Sequence, residues 1–270
     1  MVRKVRLERS GWRDEEFEQW HARNLFRLPA EVGTLFFLEY DKSLPVALVD
    51  YVPKVYSKSN LNNLKYKAII NMCDKAGIFF FNAEFSEDLT TWTIGPCNDK
   101  AKVCLSSKTE MKEKEWVDLL YKIRGRNLSE EEDWIGTIKP NLENPAKRLT
   151  DALMTISERH REWGWNCPAF DLDCIVINQS NCVAGLVEYK DDRARPPRKY
   201  HPTLKALTVL GERLNVPIYV TLYKNKFTQW KIFHLLTLEA PRTLSSILGM
   251  GFNDRWISQE DWLKLMRSLL

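Results

Sequence analysis

The sequence lacks several features that would narrow its class. Its six cysteines form no CxxC pair, no apolar leader segment opens the chain, and no apolar run is long enough to cross a bilayer. Disulfides, export and membrane insertion are therefore not expected, and we predict a cytoplasmic protein. The cysteines are best explained as core residues or inert thiols rather than as zinc ligands.

A strong net charge is also missing. The chain carries 40 Lys and Arg against 36 Asp and Glu, a formal net charge of +4. The whole chain is therefore not an obvious polyanion binder, and local charge clusters matter more. Its 270 residues, 44% of them hydrophobic, are enough for about two domains that each have a core.

Two short apolar segments in the C-terminal half predict a β-hairpin. Residues 171–177 and 183–190 have the composition of strands, and the polar run 178–181 between them is rich in turn-forming residues. Because a hairpin sets its two strands side by side, we expect the charged residues of one strand to lie next to those of the other.

The charged residues of this hairpin have the chemistry of a metal site. Strand side chains alternate between faces, so Asp171 and Asp173 are expected on one face, and Glu188 and Lys190 share a face. Asp173 and Glu188 would supply oxygen ligands of the kind that Mg²⁺ prefers. Lys190 would orient the attacking water or offset charge on the phosphate. The combination is typical of phosphodiester cleavage.

These residues carry a resemblance to a known family. Asp173 with Glu188-Tyr189-Lys190 resembles the signature of the PD-(D/E)XK nuclease superfamily, although Pro168 stands well before the aspartate. The resemblance implies a restriction-endonuclease-like αβββαβ core, an α/β fold with a central mixed sheet flanked by helices. It also implies that Asp173, Glu188 and the Tyr189 backbone carbonyl hold Mg²⁺ or Mn²⁺, while Lys190 positions the water.

The flanking sequence fits this order of elements. Residues 146–163 place apolar side chains at helical spacing and predict a helix before the hairpin. Residues 203–214, with Pro202 at the first turn, predict a second helix after it. Strands are expected at 216–223 and 230–233.

The N-terminal half repeats this pattern, which predicts a tandem duplication. Pro29 aligns with Pro168 at an offset of 139 (168 − 29), and Asp50 aligns with Glu188 at an offset of 138 (188 − 50). The tryptophans at equivalent positions are predicted to be core residues: Trp92, Trp116, Trp230 and Trp262.

The two copies differ where the proposed chemistry lies, and only Asp50 remains as a counterpart of Glu188. The other three charged residues, Asp171, Asp173 and Lys190, align with Val32, Thr34 and Val52. We therefore predict a degenerate nuclease-like domain over residues 1–126, a linker over 127–145 and a nuclease domain over 146–270. The two domains are expected to form an intramolecular pseudo-dimer, with a homodimer as the alternative assembly.

Asp171 is a candidate to share metal binding with Asp173, although Asp173 matches the family better. The resemblance also suggests auxiliary residues near the metal: Glu158 (or Glu162, one turn later) and Lys205. A solvated helix face is the alternative for Glu158 and Lys205. His160 recurs as His21 in the inactive copy and is therefore predicted to be structural.

A basic cluster follows Lys190 directly. Its members are Arg193, Arg195, Arg198 and Lys199. Because the cluster directly follows the predicted metal site along the chain, we expect it to bind backbone phosphates of a nucleic acid and to set the register of the scissile bond. A solvated, proline-stiffened loop is the alternative.

Together these features predict a metal-dependent nuclease that cuts DNA through its C-terminal domain and has no membrane partner. Nothing in the sequence distinguishes a DNA substrate from an RNA substrate, so an RNA-directed nuclease is one alternative. Endonuclease and exonuclease action both stay open. A second alternative comes from another class: a non-catalytic nucleic-acid-binding or protein-binding protein, such as an inhibitor or adaptor, that retains the fold.

Overall fold

Two mixed β-sheets and the helices that pack on them form the part of the chain that the computed structural model describes. The described residues are 35–54, 64–86, 88–126, 156, 159–160, 163, 167–178, 180–191, 202–224, 227–234 and 256–268.

The first sheet comes mainly from the N-terminal half. Its strands are β1 (Leu35–Asp41), β2 (Leu44–Pro53), β3 (Phe79–Phe85), β4 (Trp92–Pro96), β5 (Thr109–Met111) and β6 (Ala169–Asp171). They lie in the order β5-β4-β3-β2-β1-β6, with β2 and β3 parallel and all other neighbours antiparallel. The accompanying helices are α1 (Leu64–Ala76), α2 (Asp99–Lys102) and α3 (Glu113–Lys122).

The second sheet belongs to the C-terminal half. Its strands are β7 (Cys174–Ile177), β8 (Val183–Asp191), β9 (Ile218–Lys224), β10 (Gln229–His234) and β11 (Ile257–Ser258). They lie in the order β11-β10-β9-β8-β7, with only β8 and β9 parallel. Helix α4 (Pro202–Leu214) precedes β9, and α5 (Gln259–Ser268) follows β11.

The two sheets share one connectivity. From β1 to β5 and from β7 to β11, the strands follow the same order with the same pattern of directions. In each half a helix of 13 residues stands between the two parallel strands, as a parallel connection requires. The α/β class with central mixed sheets is therefore confirmed. The finer assignment to a restriction-endonuclease-like core and the domain boundaries stay predictions.

Both of these helices end in the same way. Gly77 follows α1 with φ +66°, and Asn215 follows α4 with φ +57°. The next amide in each half bonds back to a carbonyl of the last turn: Ile78 N to Cys73 O and Val216 N to Gly211 O, each at 3.0 Å. Glycine and asparagine tolerate this left-handed position best, so the local sequence determines where each helix stops.

One buried cluster joins the two halves. It contains apolar side chains of both sheets and of both α1 and α4. The ends of the two helices also contact each other: Lys75 Nζ donates to Leu214 O, and Arg213 Nη1 donates to Ala76 O at 3.2 Å. Arg213 is the counterpart of Lys75, and Leu214 is the counterpart of Ala76, each 138 positions later in the chain (213 − 75 and 214 − 76). The contacts are therefore reciprocal, as at an interface with two-fold symmetry.

The repeated tryptophans lie in the clusters on the outer faces of the sheets, the faces opposite the shared core, two of them on strands and two on helices α3 and α5. Trp92, Trp116, Trp230 and Trp262 are all fully buried, which confirms their predicted core role. In the N-terminal half two of them pack against the ring of Tyr51, and in the C-terminal half the other two pack against Tyr189. All six cysteines are free thiols. Within the described ranges, no helix has the length and apolarity needed to cross a membrane.

The prediction of one strand over residues 171–177 is wrong. Residues 169–171 form β6, where Asp171 pairs with Phe37 of the first sheet, whereas β7 begins at Cys174 in the second sheet. The chain changes sheets at Leu172 and Asp173, so Asp171 and Asp173 do not share a strand face. The apolar pattern is the same whichever sheet a strand joins, and the sequence therefore could not reveal the change.

Helix α4 approaches β9 closely at Gly211, and this contact can be tested. A Cβ at this position would lie 2.6 Å from Ile218 Cδ1 and 3.1 Å from Val216 O. We expect Gly211→Ala to lower the free energy of unfolding by about 1–3 kcal/mol through overpacking, less the gain in helix propensity. Urea denaturation measures the change. Gly95→Ala is the control, because its nearest atom would lie at 3.8 Å. Equal stability of both variants would contradict the prediction.

Candidate functional site

The β7–β8 hairpin brings Asp173 next to the residues around Glu188. Cys174 pairs with Val187, and Asp173 Oδ2 accepts a hydrogen bond from Tyr189 N at 2.8 Å. The turn of this hairpin is held by Asn178, whose Oδ1 accepts hydrogen bonds from the backbone of Ser180 and Cys182. The predicted proximity of the two carboxylate residues is thus a property of the strand pairing.

Glu188 is an acidic residue on a buried strand. It lies on β8, pairs with Val220 of the parallel neighbour β9 and is only 4% exposed. Leu186, two positions earlier on the same strand, belongs to the core that joins the halves. A carboxylate buried in such a position is costly unless a proton, a cation or hydrogen bonds compensate it.

The other two residues of the motif are also on β8. Lys190 pairs through its backbone with Leu222, and its side chain lies outside the described residues. The Tyr189 ring is buried, with its centroid about 6 Å from those of Trp230 and Trp262. A ligand role for Tyr189 therefore rests on its backbone carbonyl, as the resemblance implies.

The auxiliary candidates are more widely distributed. Asp171 is half-buried on β6 in the first sheet, and Lys205 is exposed on α4. The remaining candidates lie outside the described residues: Glu158, Glu162, Arg193, Arg195, Arg198 and Lys199.

Strand register corrects the alignment of the two hairpins. Phe37 pairs with Val49, 12 positions away, whereas Cys174 pairs with Val187, 13 positions away. The hairpin is therefore one residue longer in the C-terminal half, and the counterpart of Asp173 is Phe36 rather than Thr34. Weak sequence similarity could not resolve a shift in a turn of variable length. Phe36 is a buried apolar residue, so the leading carboxylate is still missing from the first copy.

The retained Asp50 has its own polar surroundings. It is 1% exposed, and its Oδ2 accepts hydrogen bonds from Tyr66 Oη at 3.2 Å and Asn82 Nδ2 at 3.5 Å. Burial raises the pKa of the Asp50 carboxyl to about 7, against the opposing effect of these two hydrogen bonds. The residues 138 positions after Tyr66 and Asn82 are Leu204 and Val220, so these polar partners are peculiar to the N-terminal half.

A second buried polar cluster was not predicted from the sequence. One ligand atom each from Glu39, His160 and Cys167 lies within 4.8 Å of the others. His160 Nε2 is 3.0 Å from Glu39 Oε1 and 3.0 Å from Tyr51 Oη, and Arg124 forms an ion pair with Glu39. The donor types alone would suit a transition metal such as zinc.

The electrostatics of this cluster do not fit a metal centre. Although burial acts to raise it, His160 and Arg124 hold the pKa of the Glu39 carboxyl below its usual value. Burial raises the pKa of the Cys167 thiol to about 12, so the sulfur is protonated when no metal is bound. The Arg124 guanidinium already compensates Glu39 and would repel a cation. We therefore assign the cluster to structure, which agrees with the structural role predicted for His160.

A neighbouring set of contacts holds the segment before β6 on the first sheet. Arg159 Nη2 donates to Glu113 Oε2 at 2.7 Å, and Trp163 Nε1 donates to Glu113 Oε1 at 2.9 Å. Tyr121 Oη donates to Trp163 O at 3.3 Å. Although residues 146–270 were predicted to form the C-terminal domain, this part of the segment packs against the N-terminal half.

No family model, curated protein or solved structure matches the chain. The observations that bear on its function are the geometry of Asp173 and Glu188 and the resemblance of their motif.

Titration of Asp50 gives a testable dependence of stability on pH. Its pKa is about 7 in the folded state against an ordinary value of 3.8, so the folded state binds the proton more tightly. Wild type should therefore lose stability as the pH rises from about 4 to about 7. Asp50→Asn should remove this loss and raise the free energy of unfolding at about pH 8 by up to about 4 kcal/mol.

Chemical denaturation across this pH range measures the effect. Glu212→Gln, on the exposed surface of α4, is the control and should keep the wild-type slope. The same pH slope in Asp50→Asn and wild type would show that Asp50 is not the titrating group.

Proposed function

We propose that this protein is a metal-dependent nuclease that hydrolyses phosphodiester bonds in DNA through its C-terminal half. The observation that carries the proposal is the β7–β8 pairing, which sets the Asp173 carboxylate 2.8 Å from the backbone amide that follows Glu188. Two carboxylate residues on neighbouring chain segments, followed by Lys190, are the donor set that phosphodiester cleavage needs.

The chemistry of these donors fits a hard divalent cation. Asp173, Glu188 and the Tyr189 carbonyl would hold Mg²⁺ or Mn²⁺, since all three offer oxygen atoms. When bound, such an ion lowers the pKa of a water molecule and offsets negative charge on the phosphate. Glu188 is only 4% exposed, and a bound cation would give this buried carboxylate a partner of opposite charge.

The chain's own residues have separate roles in this proposal. The Tyr189 amide orients the Asp173 carboxylate, which reduces the freedom that this side chain would lose on binding. Lys190 stands two positions after Glu188 on the same strand, and we assign to it the orientation of the attacking water. Arg193, Arg195, Arg198 and Lys199 follow directly and would hold backbone phosphates.

The N-terminal half is proposed to be a degenerate partner in an intramolecular pseudo-dimer. Its support is the core that both halves share and the reciprocal contacts between the ends of α1 and α4. In this half Phe36 stands where Asp173 stands in the other, and Val52 where Lys190 stands, so a cation and a water would lack two of their partners.

A non-catalytic binding protein is the second candidate, and one observation favours it. Glu188 is 4% exposed, so a substrate phosphate would have to approach a carboxylate that the fold largely covers. In this alternative the carboxylates no longer have a catalytic role, and the protein binds a nucleic acid or another protein through the same fold. RNA instead of DNA is the further alternative for the enzyme.

A metal-dependent cleavage assay tests the proposal. Wild type should cut at least one of single-stranded DNA, duplex DNA, branched DNA or RNA in the presence of Mg²⁺ or Mn²⁺. Asp173→Asn and Lys190→Ala should each lower the rate by at least about 100-fold, because each removes a charge that the reaction needs.

Asp50→Asn is the control, because it neutralises the acidic residue that the degenerate half retains, the counterpart of Glu188, and should leave cleavage unaltered. Circular dichroism of each variant verifies the fold. If wild type cuts none of these substrates with either metal, the binding protein becomes the better interpretation.

A further inference from the structure

Asp173 stands where the chain passes from one sheet to the other. Leu172 and Asp173 are the two residues between β6 of the first sheet and β7 of the second. Leu172 N donates to Phe36 O at 2.8 Å, whereas Asp173 Oδ2 accepts from Tyr189 N at 2.8 Å. One residue is thus bound to the N-terminal half and the next to the C-terminal half. The position of Asp173 depends on both.

The strand that leads to Asp173 is short and lies at the edge of its sheet. β6 has three residues, which pair with Phe37, Leu38 and Glu39 of β1. One further bond, from Tyr40 N to Pro168 O at 3.1 Å, extends the pairing before β6 begins. A strand of this length makes few ladder bonds, so other contacts must help to hold its register.

Arg124 supplies such a contact. Its Nη2 donates to Pro168 O at 3.3 Å and forms the ion pair with Glu39, and its Nε donates to Tyr40 O at 3.3 Å. Its Nη1 donates to Leu120 O at 2.6 Å, which ties the guanidinium to the end of α3. The side chain is fully buried. One planar fork therefore links α3, β1 and the residue that precedes β6.

We infer that Arg124 is a positioning residue for Asp173: from the half predicted to be inactive, it holds the strand that delivers the candidate metal ligand of the other half. The functional part of this inference rests on the proposed role of Asp173. The mechanical part rests on the contacts of Arg124 alone, since Pro168 precedes β6, β6 leads to Leu172, and Leu172 adjoins Asp173. The N-terminal half would then be a component of the site and not only a degenerate partner.

The variants must remove the fork without leaving a lone buried charge. Arg124→Met alone would deprive the buried Glu39 carboxylate of its guanidinium partner, which destabilises strongly. The test therefore uses Glu39→Gln with Arg124→Met, and also Arg124→Lys, which keeps the charge beside Glu39 but cannot span Tyr40 and Pro168 together. Phe85→Leu is the control, because Phe85 belongs to the cluster on the outer face of the first sheet, yet β2 and β1 lie between its strand and β6.

Amide hydrogen exchange reports on the position of Asp173 without reference to activity. After correction for global stability, exchange at Leu172 and Tyr189 should accelerate by about tenfold or more in both Arg124 variants. Phe85→Leu should change it only in proportion to global stability. If exchange at these two amides follows global stability in every variant, strand pairing alone holds β6 and the inference is overturned.

Manganese binding, followed by electron paramagnetic resonance, tests the functional part. The Arg124 variants should bind Mn²⁺ about tenfold more weakly than wild type, as for other residues that orient a ligand. Asp173→Asn should abolish this binding. Loss of binding in Asp173→Asn together with wild-type affinity in the Arg124 variants would overturn the inference. If Asp173→Asn leaves Mn²⁺ binding unchanged, the proposed function fails, while the exchange result still decides whether Arg124 holds Asp173 in place.

Discussion

Pairing of β6 with β1 ties the start of the C-terminal half to the sheet of the N-terminal half. Because β7 begins only three residues after β6 ends, every contact that holds β6 also constrains the residue at the change of sheets, Asp173. Arg124 holds the residue before β6, and the shared apolar core and the reciprocal helix ends also join the two halves. Neither sheet can therefore move freely with respect to the other.

Each half has a buried acidic residue at the same position of its second strand, but the surroundings of the two residues differ. In the N-terminal half Asp50 has hydrogen bonds from Tyr66 and Asn82 and a pKa of about 7, so a proton can neutralise it near neutral pH. In the C-terminal half Glu188 pairs with Val220, and the amide of the next residue, Tyr189, donates to the Asp173 carboxylate. A proton suits the first arrangement, whereas a bound cation would suit two carboxylate residues on neighbouring segments of a hairpin. This difference is the physical basis for proposing that only one half is active.

Local signals predicted much of the fold. Helix α4, the hairpin turn at Asn178 and the buried tryptophans follow from spacing and turn chemistry, which act over a few residues. Part of the site was predictable. Asp173 and Glu188 are neighbours in a hairpin, which is a local structure. The cluster around Arg124 was not predictable, since its partners come from β1, α3 and the segment before β6, and no sequence pattern marks side chains that meet over such distances.

The amino-acid sequence by itself determined the elements, their repetition and which half carries the complete set of charged residues, because these depend on residue type and on short-range spacing. Only the tertiary structure decided where the chain changes sheets, how the hairpins align and which half holds β6. Strand partners depend on long-range packing and backbone hydrogen bonding, whereas the apolar pattern of a strand is the same whichever sheet it joins. For Asp173 this distinction is decisive: its chemistry is visible in the sequence, whereas its dependence on the N-terminal half is visible only in the fold.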